Sequence, residues 1–344
     1  LYIQALKFIK SYPKKILFVL SATIILLSIT GFLDRLWWGF ELTSHFRVQY
    51  FWLLALSATW FTFGKKWNYA IIAAIFALVN LSLIIPYIPT AKVVQASQYT
   101  LRSLSINLDF RNSSYDKATS FITRSKPDIL VLEEFTDEWE KGLKNTLSTF
   151  PHSYRFTYPT PPPSPIGSKL HSYFTPSTSY EKYAPKKISI GLFSHLPFEN
   201  IRASHPNPYP VPHVKAKFKF KGKDFILFGV HLISPVTKKR SEIRNKQLLT
   251  LANMVKDLDQ PTILIGDFNT SPWSSYFKDF IQMTRLKESR KGAGLHPSWP
   301  TPFIPLRIPI DHSLTSNEIT VQSFSFGPNI GSDHFPIILD FSIN

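Results

Sequence analysis

Polar residues recur at the ends of apolar, strand-like segments in the part of the chain after residue 97. Asn107 follows TLRSLSI, Glu134 closes PDILVLEE, and His231 follows DFILFGV. Asp267 and Asn269 stand in GDFN, at the end of PTILIGDF. Asp311 lies in IPIDHSL, and Asp333 and His334 lie in GSDHFP, just before FPIILDF. A charge at the end of a buried strand is costly unless it is paired or ligated. Taken singly, Asn107 can cap a turn and Asp267 can start an Asx-turn. So many in one segment point to a shared site. The chain has no cysteine, which excludes disulfide scaffolds, zinc–thiolate sites, iron–sulfur clusters and a cysteine nucleophile. Carboxylates, amides and histidines without metal-like His spacing suit a hard, oxygen-seeking cation, Mg²⁺ or Mn²⁺, better than zinc. That set suits hydrolysis of a phosphate ester. The cation offsets phosphate charge, a carboxylate activates water, and a histidine stabilises the crowded transition state.

Strands and helices must bring these residues together. Segments 100–106, 127–134, 188–194, 214–220, 224–232, 261–268 and 335–341 are β-branched or aromatic and read as strands, several apolar on both faces. Residues 241–258 predict an amphipathic helix with Leu248, Leu251, Val255 and Leu258 as its apolar stripe. Residues 115–124 and 138–147 are shorter helical segments. Residues 97–344 therefore read as one α/β domain without internal repeats. Proline-dense stretches at 159–167, 206–212 and 299–305 read as stiff loops. Lys215, Lys217 and Lys219 alternate along one strand face, as on an edge strand guarded by lysines.

The first ninety residues have a different composition. Only Asp34 and Glu41 are acidic before residue 97, against nine Lys or Arg. Apolar runs at 16–33, 48–64 and 69–88 approach the roughly 20 residues that a helix needs to cross a bilayer. The second is the shortest. Trp37, Trp38, Trp60 and Trp67 sit near run ends, as interface aromatics do, and Pro86 kinks or ends the third helix. A cleaved signal peptide fits poorly, because no small-x-small site follows the first run and two more runs come after it. Lys7, Lys10, Lys14 and Lys15 before the first run, and Lys65 and Lys66 before the third, place the N-terminus in the cytoplasm. Three crossings put residues 97–344 on the non-cytoplasmic side; two, without the second run, would leave them in the cytoplasm. The chain begins with Leu, and a start upstream or at an alternative codon is expected.

SINLDFRN, PDILVLEEF, GVHLISP, ILIGDFNTSPWS, IPIDHSL and GSDHFPI resemble the ordered motif series of the endonuclease/exonuclease/phosphatase (DNase I-like) superfamily over about residues 99–342. GDFN followed 65 residues later by GSDH is the most specific pairing. With its apolar N-terminal region the chain is most similar to bacterial membrane-anchored, YafD-like members. The resemblance implies a four-layered α/β sandwich, preceded here by a helical transmembrane region (domains 1–96 and 97–344). It implies Glu134 as principal metal ligand, supported by Asn107 and Asp333. Asp267 would activate water, with Asn269 holding that carboxylate or the phosphate. His334, oriented by Asp311, would bind the scissile phosphate, and His231 would bind substrate near the leaving group. Glu133 is expected to face elsewhere. His312 is expected on the opposite strand face from Asp311. His45, His152, His171, His195, His205, His213 and His296 read as surface or loop residues, and Arg240 and Arg244 as a solvated helix face.

The expected function is thus a membrane-anchored, Mg²⁺- or Mn²⁺-dependent phosphodiesterase of the bacterial inner membrane. The formal charge of +16, with 30 Lys or Arg against 21 Asp or Glu after residue 97, favours nucleic acid as the anionic partner. Lipid headgroups are favoured by the anchor. Inositol phosphates follow, and a catalytically inactive scaffold is the rival of another class.

Overall fold

The computed structural model describes residues 2–90, 99–160, 187–202 and 212–344. The expected domain boundary at 96/97, most of the proline stretches at 159–167 and 206–212, and His171 and His205 lie outside the described residues. The chain divides into two units, one of residues 1–86 with 273–275, the other of the remainder.

The first unit is helical. It comprises α1 (Tyr2–Thr30), α2 (Trp38–Ser44), α3 (Arg47–Phe63) and α4 (Trp67–Ile84), the last passing into a 3₁₀ turn (Ile85–Tyr87) at Pro86. Proline has no N–H for the helix ladder, so the α-helix stops before it. Tyr50, Leu54 and Ala77 form a small apolar centre. Beside it, Arg47 Nη1 donates to Ser28 O (2.8 Å), and Asn80 Nδ2 donates to Ser28 Oγ (2.8 Å), tying α1, α3 and α4 together. The outward faces are apolar: Trp52, Leu56, Trp60, Phe63, Ile71 and Leu78 are all exposed. Among the described residues one helix, Trp67–Tyr87, is long and apolar enough to cross a membrane, and Lys15–Thr30 is apolar but shorter. Both acidic residues of this region are acceptors in the same unit: Glu41 takes Ser274 Oγ (2.8 Å) and Asp34 takes Ser275 N (2.7 Å).

The second unit is built on two six-stranded sheets. The first holds β1 (Leu101–Asn107), β2 (Ile129–Phe135), β3 (His152–Pro159), β4 (Lys187–Ser194), β11 (Ile319–Phe326) and β12 (Ile337–Ile343), in the order β11-β12-β1-β2-β4-β3. The second holds β5 (Phe198–Arg202), β6 (His213–Phe220), β7 (Lys223–His231), β8 (Thr262–Asp267), β9 (Lys287–Glu288) and β10 (Asp311–Thr315), in the order β5-β6-β7-β8-β10-β9. Helices α5 (Tyr115–Ser125), α6 (Asp137–Gly142), α7 (Lys144–Leu147), α8 (Lys238–Val255) and α9 (Ser275–Thr284) complete the unit. The expected helix at 138–147 is broken into α6 and α7, with Leu143 non-helical between them.

Strand alternation divides the apolar residues into three cores. Ile129, Val131, Ile190, Val214, Ala216, Ile263, Ile265 and Leu339 pack between the sheets. Leu104, Leu130 and Leu132 meet Phe121 and Trp139 on the outer face of the first sheet. Ile226, Phe228 and Leu264 meet Leu248, Leu251 and Val255 of α8 on the outer face of the second. The result is an α/β sandwich of two mixed sheets with helices outside. Each sheet has one parallel pair at its centre, β1·β2 and β7·β8. A parallel pair needs a crossover, and α5 and α8 provide them. Both crossovers leave the strand ends that carry the sequence-predicted site residues.

One expectation fails in the sheet order. Strand 213–220 is not at an edge. It lies between β5 and β7, and Lys217 pairs with Asp224 (2.7 Å). Alternating lysines mark a solvated face. They do not fix a strand's place in the sheet, which here depends on pairing with β5.

Candidate active site

The site forms where the two parallel pairs end. In the second sheet His231 and Asp267 are cross-strand partners, and Asp311 opens β10 opposite Asp267 on its other side. Gly266 makes this close approach possible. Its φ is +141°, and a Cβ there would overlap the carbonyl oxygen of Val230. In the first sheet Asn107 lies opposite Glu133. A bulge between Leu132 and Phe135 inserts one extra residue into β2, and Glu134 takes φ +52°. Asp109 (+54°) and Asn269 (+49°) share this left-handed conformation. Such strain persists only where surrounding contacts fix it, and it clusters at functional sites.

Asp267 is buried and sits at the centre. Its Oδ1 accepts Asn269 N (2.7 Å), and its Oδ2 accepts Asn269 Nδ2 (2.9 Å) with Asn107 Nδ2 at 3.4 Å. Two imidazole Nε2 atoms, of His231 and His334, each lie 3.8 Å from Oδ2. Each ring is held from behind. Asp311 Oδ2 is 2.9 Å from His334 Nδ1, and Tyr158 Oη is 2.8 Å from His231 Nδ1. Burial alone would lower the pKa of His334. The carboxylates of Asp311 and Asp267 outweigh it and raise the group well above the usual imidazole range. Burial lowers that of His231, against the opposing pull of Glu134.

A second cluster adjoins the first. Glu134 Oε2 accepts Phe110 N (3.1 Å), and its Oε1 lies 3.8 Å from His231 Nε2. Asp333 accepts Trp299 Nε1 (3.0 Å), and Arg111 Nη2 is 3.6 Å away. Arg111 Nε is 2.6 Å from Asp109. Burial, then Asp333, pushes Asp109 up to about 7 despite that arginine. Carboxylates set closely around buried Asp109 repel one another, and oxygen donors in such excess fit a hard divalent cation. Asp267, Asp311 and His334 also lie within 4.8 Å of one another. The Asp311–His334 hydrogen bond accounts for that grouping, because it occupies the His334 Nδ1 position.

Every sequence-predicted site residue falls in this region. Asn107 is placed differently from a ligand: its Oδ1 accepts Asp109 N (3.1 Å) and its amide nitrogen faces Asp267. Glu133 corrects the expectation that it faces elsewhere. It is buried, accepts Asp267 N (3.0 Å) and is hydrogen-bonded to Ser105 Oγ. Alternation from Val131 carries Glu133 to the inner face, so the signal was present. Arg244 corrects another expectation. It is fully buried and its Nη1 donates to Asn269 O (2.8 Å). His45 and His213 are buried as well. His312 points away from the site, is buried, and its Nε2 lies 2.8 Å from Thr270 O. Tyr158, Asp109, Arg111, Trp299 and Arg290 were not singled out. Arg290 is buried and donates to the carbonyl of Asp311.

The fold and this constellation define a class, the phosphate-ester hydrolases built on a two-sheet sandwich. The chain belongs to the Endonuclease/Exonuclease/phosphatase family, whose model matches residues 104–334. Among solved structures it is similar to the endonuclease/exonuclease/phosphatase from Beutenbergia cavernae DSM 12333, with 15% identity, a TM-score of 0.54 and 72% of each chain covered. It is similar to D. rerio TDP2 complexed with single strand DNA product, at 16% identity and a TM-score of 0.53, over 71% of this chain and 100% of that one. The human Nocturnin catalytic domain with bound sulfate anion is similar at 20% identity and a TM-score of 0.51, over 71% of this chain and 95% of that one. At these identities the likeness is one of fold. No curated protein matches the chain.

Proposed function

We propose that this chain is a membrane-anchored, divalent-metal-dependent phosphodiesterase of the YafD-like kind, with Mg²⁺ or Mn²⁺ as cofactor and nucleic acid as the favoured substrate class. The observation that carries the reading is Asp267 Oδ2, buried, held by Asn269, and flanked by two imidazoles at 3.8 Å. Asp267 takes the proton of the attacking water. Asn269 and Asn107 keep its oxygens aimed. His334 Nε2 donates to a non-bridging phosphate oxygen, and Asp311 keeps that ring oriented and charged. His231, turned by Tyr158, reaches the phosphate from the other side of Asp267. Glu134 and Asp333, with Asp109 beside them, would hold the cation. When bound, it neutralises phosphate charge and polarises the ester. The helices of residues 1–86, outwardly apolar, anchor the chain in the bacterial inner membrane, with the α/β unit on the non-cytoplasmic side. Nucleic acid is favoured by the positive charge and is the ligand class named for the D. rerio structure.

The test uses the full chain in detergent with plasmid DNA, single-stranded RNA, sphingomyelin and bis-p-nitrophenyl phosphate. EDTA should abolish hydrolysis and added Mg²⁺ or Mn²⁺ restore it. Glu134→Gln should weaken Mg²⁺ binding measured by calorimetry at least tenfold. Undiminished turnover in chelator would overturn the metal assignment.

A further inference from the structure

The crossover helix of the second sheet carries two buried polar side chains, Arg244 and Gln247, one helical turn apart. In a parallel strand–helix–strand unit the helix begins beyond the end of its first strand and runs back along the sheet. Its early turns therefore lie beside the carboxyl ends of both strands it joins. Here those ends carry His231 and Asp267. Gln247 Oε1 accepts Ile233 N (3.0 Å), two residues after His231. Arg244 Nη1 donates to Asn269 O (2.8 Å), two residues after Asp267, and its Nε donates to Asn245 Oδ1 (2.9 Å). The two loops are also joined directly: Leu232 N donates to Asp267 O (2.9 Å) and Asn269 Nδ2 to Leu232 O (2.8 Å).

Asn269 is thus fixed at three atoms while strained at φ +49°. Its N and Nδ2 hold the two oxygens of Asp267, and its carbonyl is held by Arg244. Stability alone does not call for an arginine here. Burying a guanidinium is expensive, and an apolar side chain of similar volume is often neutral or stabilising in such a place. A methionine would continue the apolar stripe that Leu248, Leu251 and Val255 form on this face. What an apolar residue cannot supply is a rigid fork of donors aimed at a backbone carbonyl.

We infer that Arg244 and Gln247 are positioning residues for the reaction: one helix face reads the backbone of both catalytic loops and sets the angle at which Asp267 meets its substrate. Neither touches substrate. The inference rests on the hydrolase reading above, and its test includes a measurement that needs no turnover.

The experiment compares the full chain with Arg244→Met, Arg244→Lys and Gln247→Leu. Leu249→Ser, exposed on the same helix, is the control. Steady-state hydrolysis of bis-p-nitrophenyl phosphate with Mg²⁺ is measured beside deuterium uptake of the peptide 266–272. Arg244→Met should lower kcat at least tenfold with KM changed less than twofold, and Arg244→Lys should recover kcat to within about fivefold. In an Asn269→Ala background the further loss from Arg244→Met should shrink below threefold, because Arg244 acts on Asp267 through the Asn269 side chain that this background lacks. Amides 268–270 should exchange at least tenfold faster in Arg244→Met and unchanged in Leu249→Ser. Unchanged kcat, a fully additive double variant, or unchanged exchange would overturn the inference. If Arg244→Met does not fold, Arg244→Lys and Gln247→Leu carry the same comparison. If the wild type hydrolyses nothing, the proposed function fails and the exchange measurement alone decides this inference.

Discussion

The two sheets share a design, a central parallel pair joined by a crossover helix, yet they hold their site residues in opposite ways. Around the end of the second sheet each group has its partner, with Tyr158 of β3 and His334 before β12 reaching across from the first sheet. His334 faces Asp311, His231 faces Tyr158, and Asp267 faces Asn269. At the end of the first sheet carboxylate faces carboxylate: burial, then Asp333 and Glu134, raises Asp109 to about 7 even beside Arg111. The difference assigns the labour. Complete hydrogen-bond sets keep the groups around Asp267 at fixed angles, and on the proposed reading the carboxylate-rich end would receive the cation. The backbone follows the same division. The first sheet aims Glu134 by a bulge. The second brings β7 and β8 together through Gly266 and braces both loops from α8.

The largest effect that would break this comparison comes from Gly266→Ala. The new Cβ meets Val230 O in a conformation that L-residues rarely adopt, so β8 must shift and Asp267 with it. Unfolding of the α/β unit should become easier by at least about 2 kcal/mol, and turnover should fall below detection. Near-normal stability and turnover would mean that the β7–β8 approach is not what places Asp267. Tyr158→Phe is milder and sharpens the comparison. It removes the partner of His231 and leaves the His334–Asp311 pair intact. Turnover should drop about three- to tenfold, equivalent to about 1 kcal/mol for one hydrogen bond. An effect as large as that of losing His334 would show the two histidines to be one unit.

The smallest effect concerns pH. Burial, then Arg290, holds His312 well below the usual imidazole range, so the folded ring stays neutral. Below about pH 6.5 the unfolded chain takes up a proton that the folded ring does not, and stability falls toward acid by up to about 1.4 kcal/mol per pH unit. His231, shifted the same way, adds to this slope. Relative to the wild type, His312→Leu should gain stability between pH 6.5 and 5 as the pH falls, because it lacks this contribution. An unchanged slope would mean that His312 takes up its proton in the fold.

The ordered polar residues at strand ends were legible because a buried strand has little other reason to end in Asn, Glu, Asp or His. Glu133 and Arg244 were legible in principle: one continues the inward face of Val131, and the other lies four residues before Leu248 on the apolar stripe of α8. At both positions charge argues for solvent while periodicity argues for burial, and periodicity wins because each side chain has polar partners in the interior. Tyr158 was not legible. Its strand, β3, alternates Tyr154, Phe156 and Tyr158 with polar residues, which marks a packed face rather than a site, and its partner lies 73 residues away. The place of β6 within its sheet was equally out of reach, since strand order is set by pairing between distant segments. In the first ninety residues composition exposed the apolar helices. It did not reveal Arg47 tied to Ser28 or Glu41 to Ser274.

The most direct measurement of the central claim is Mg²⁺-dependent hydrolysis of bis-p-nitrophenyl phosphate and plasmid DNA by the full chain and by Asp267→Asn, with circular dichroism and membrane insertion checked in both. The account predicts a loss of at least about a thousandfold in the variant, as for removal of a positioned general base together with its charge, with folding and insertion unchanged. A folded Asp267→Asn protein that hydrolyses either substrate at a rate near the wild type would contradict it.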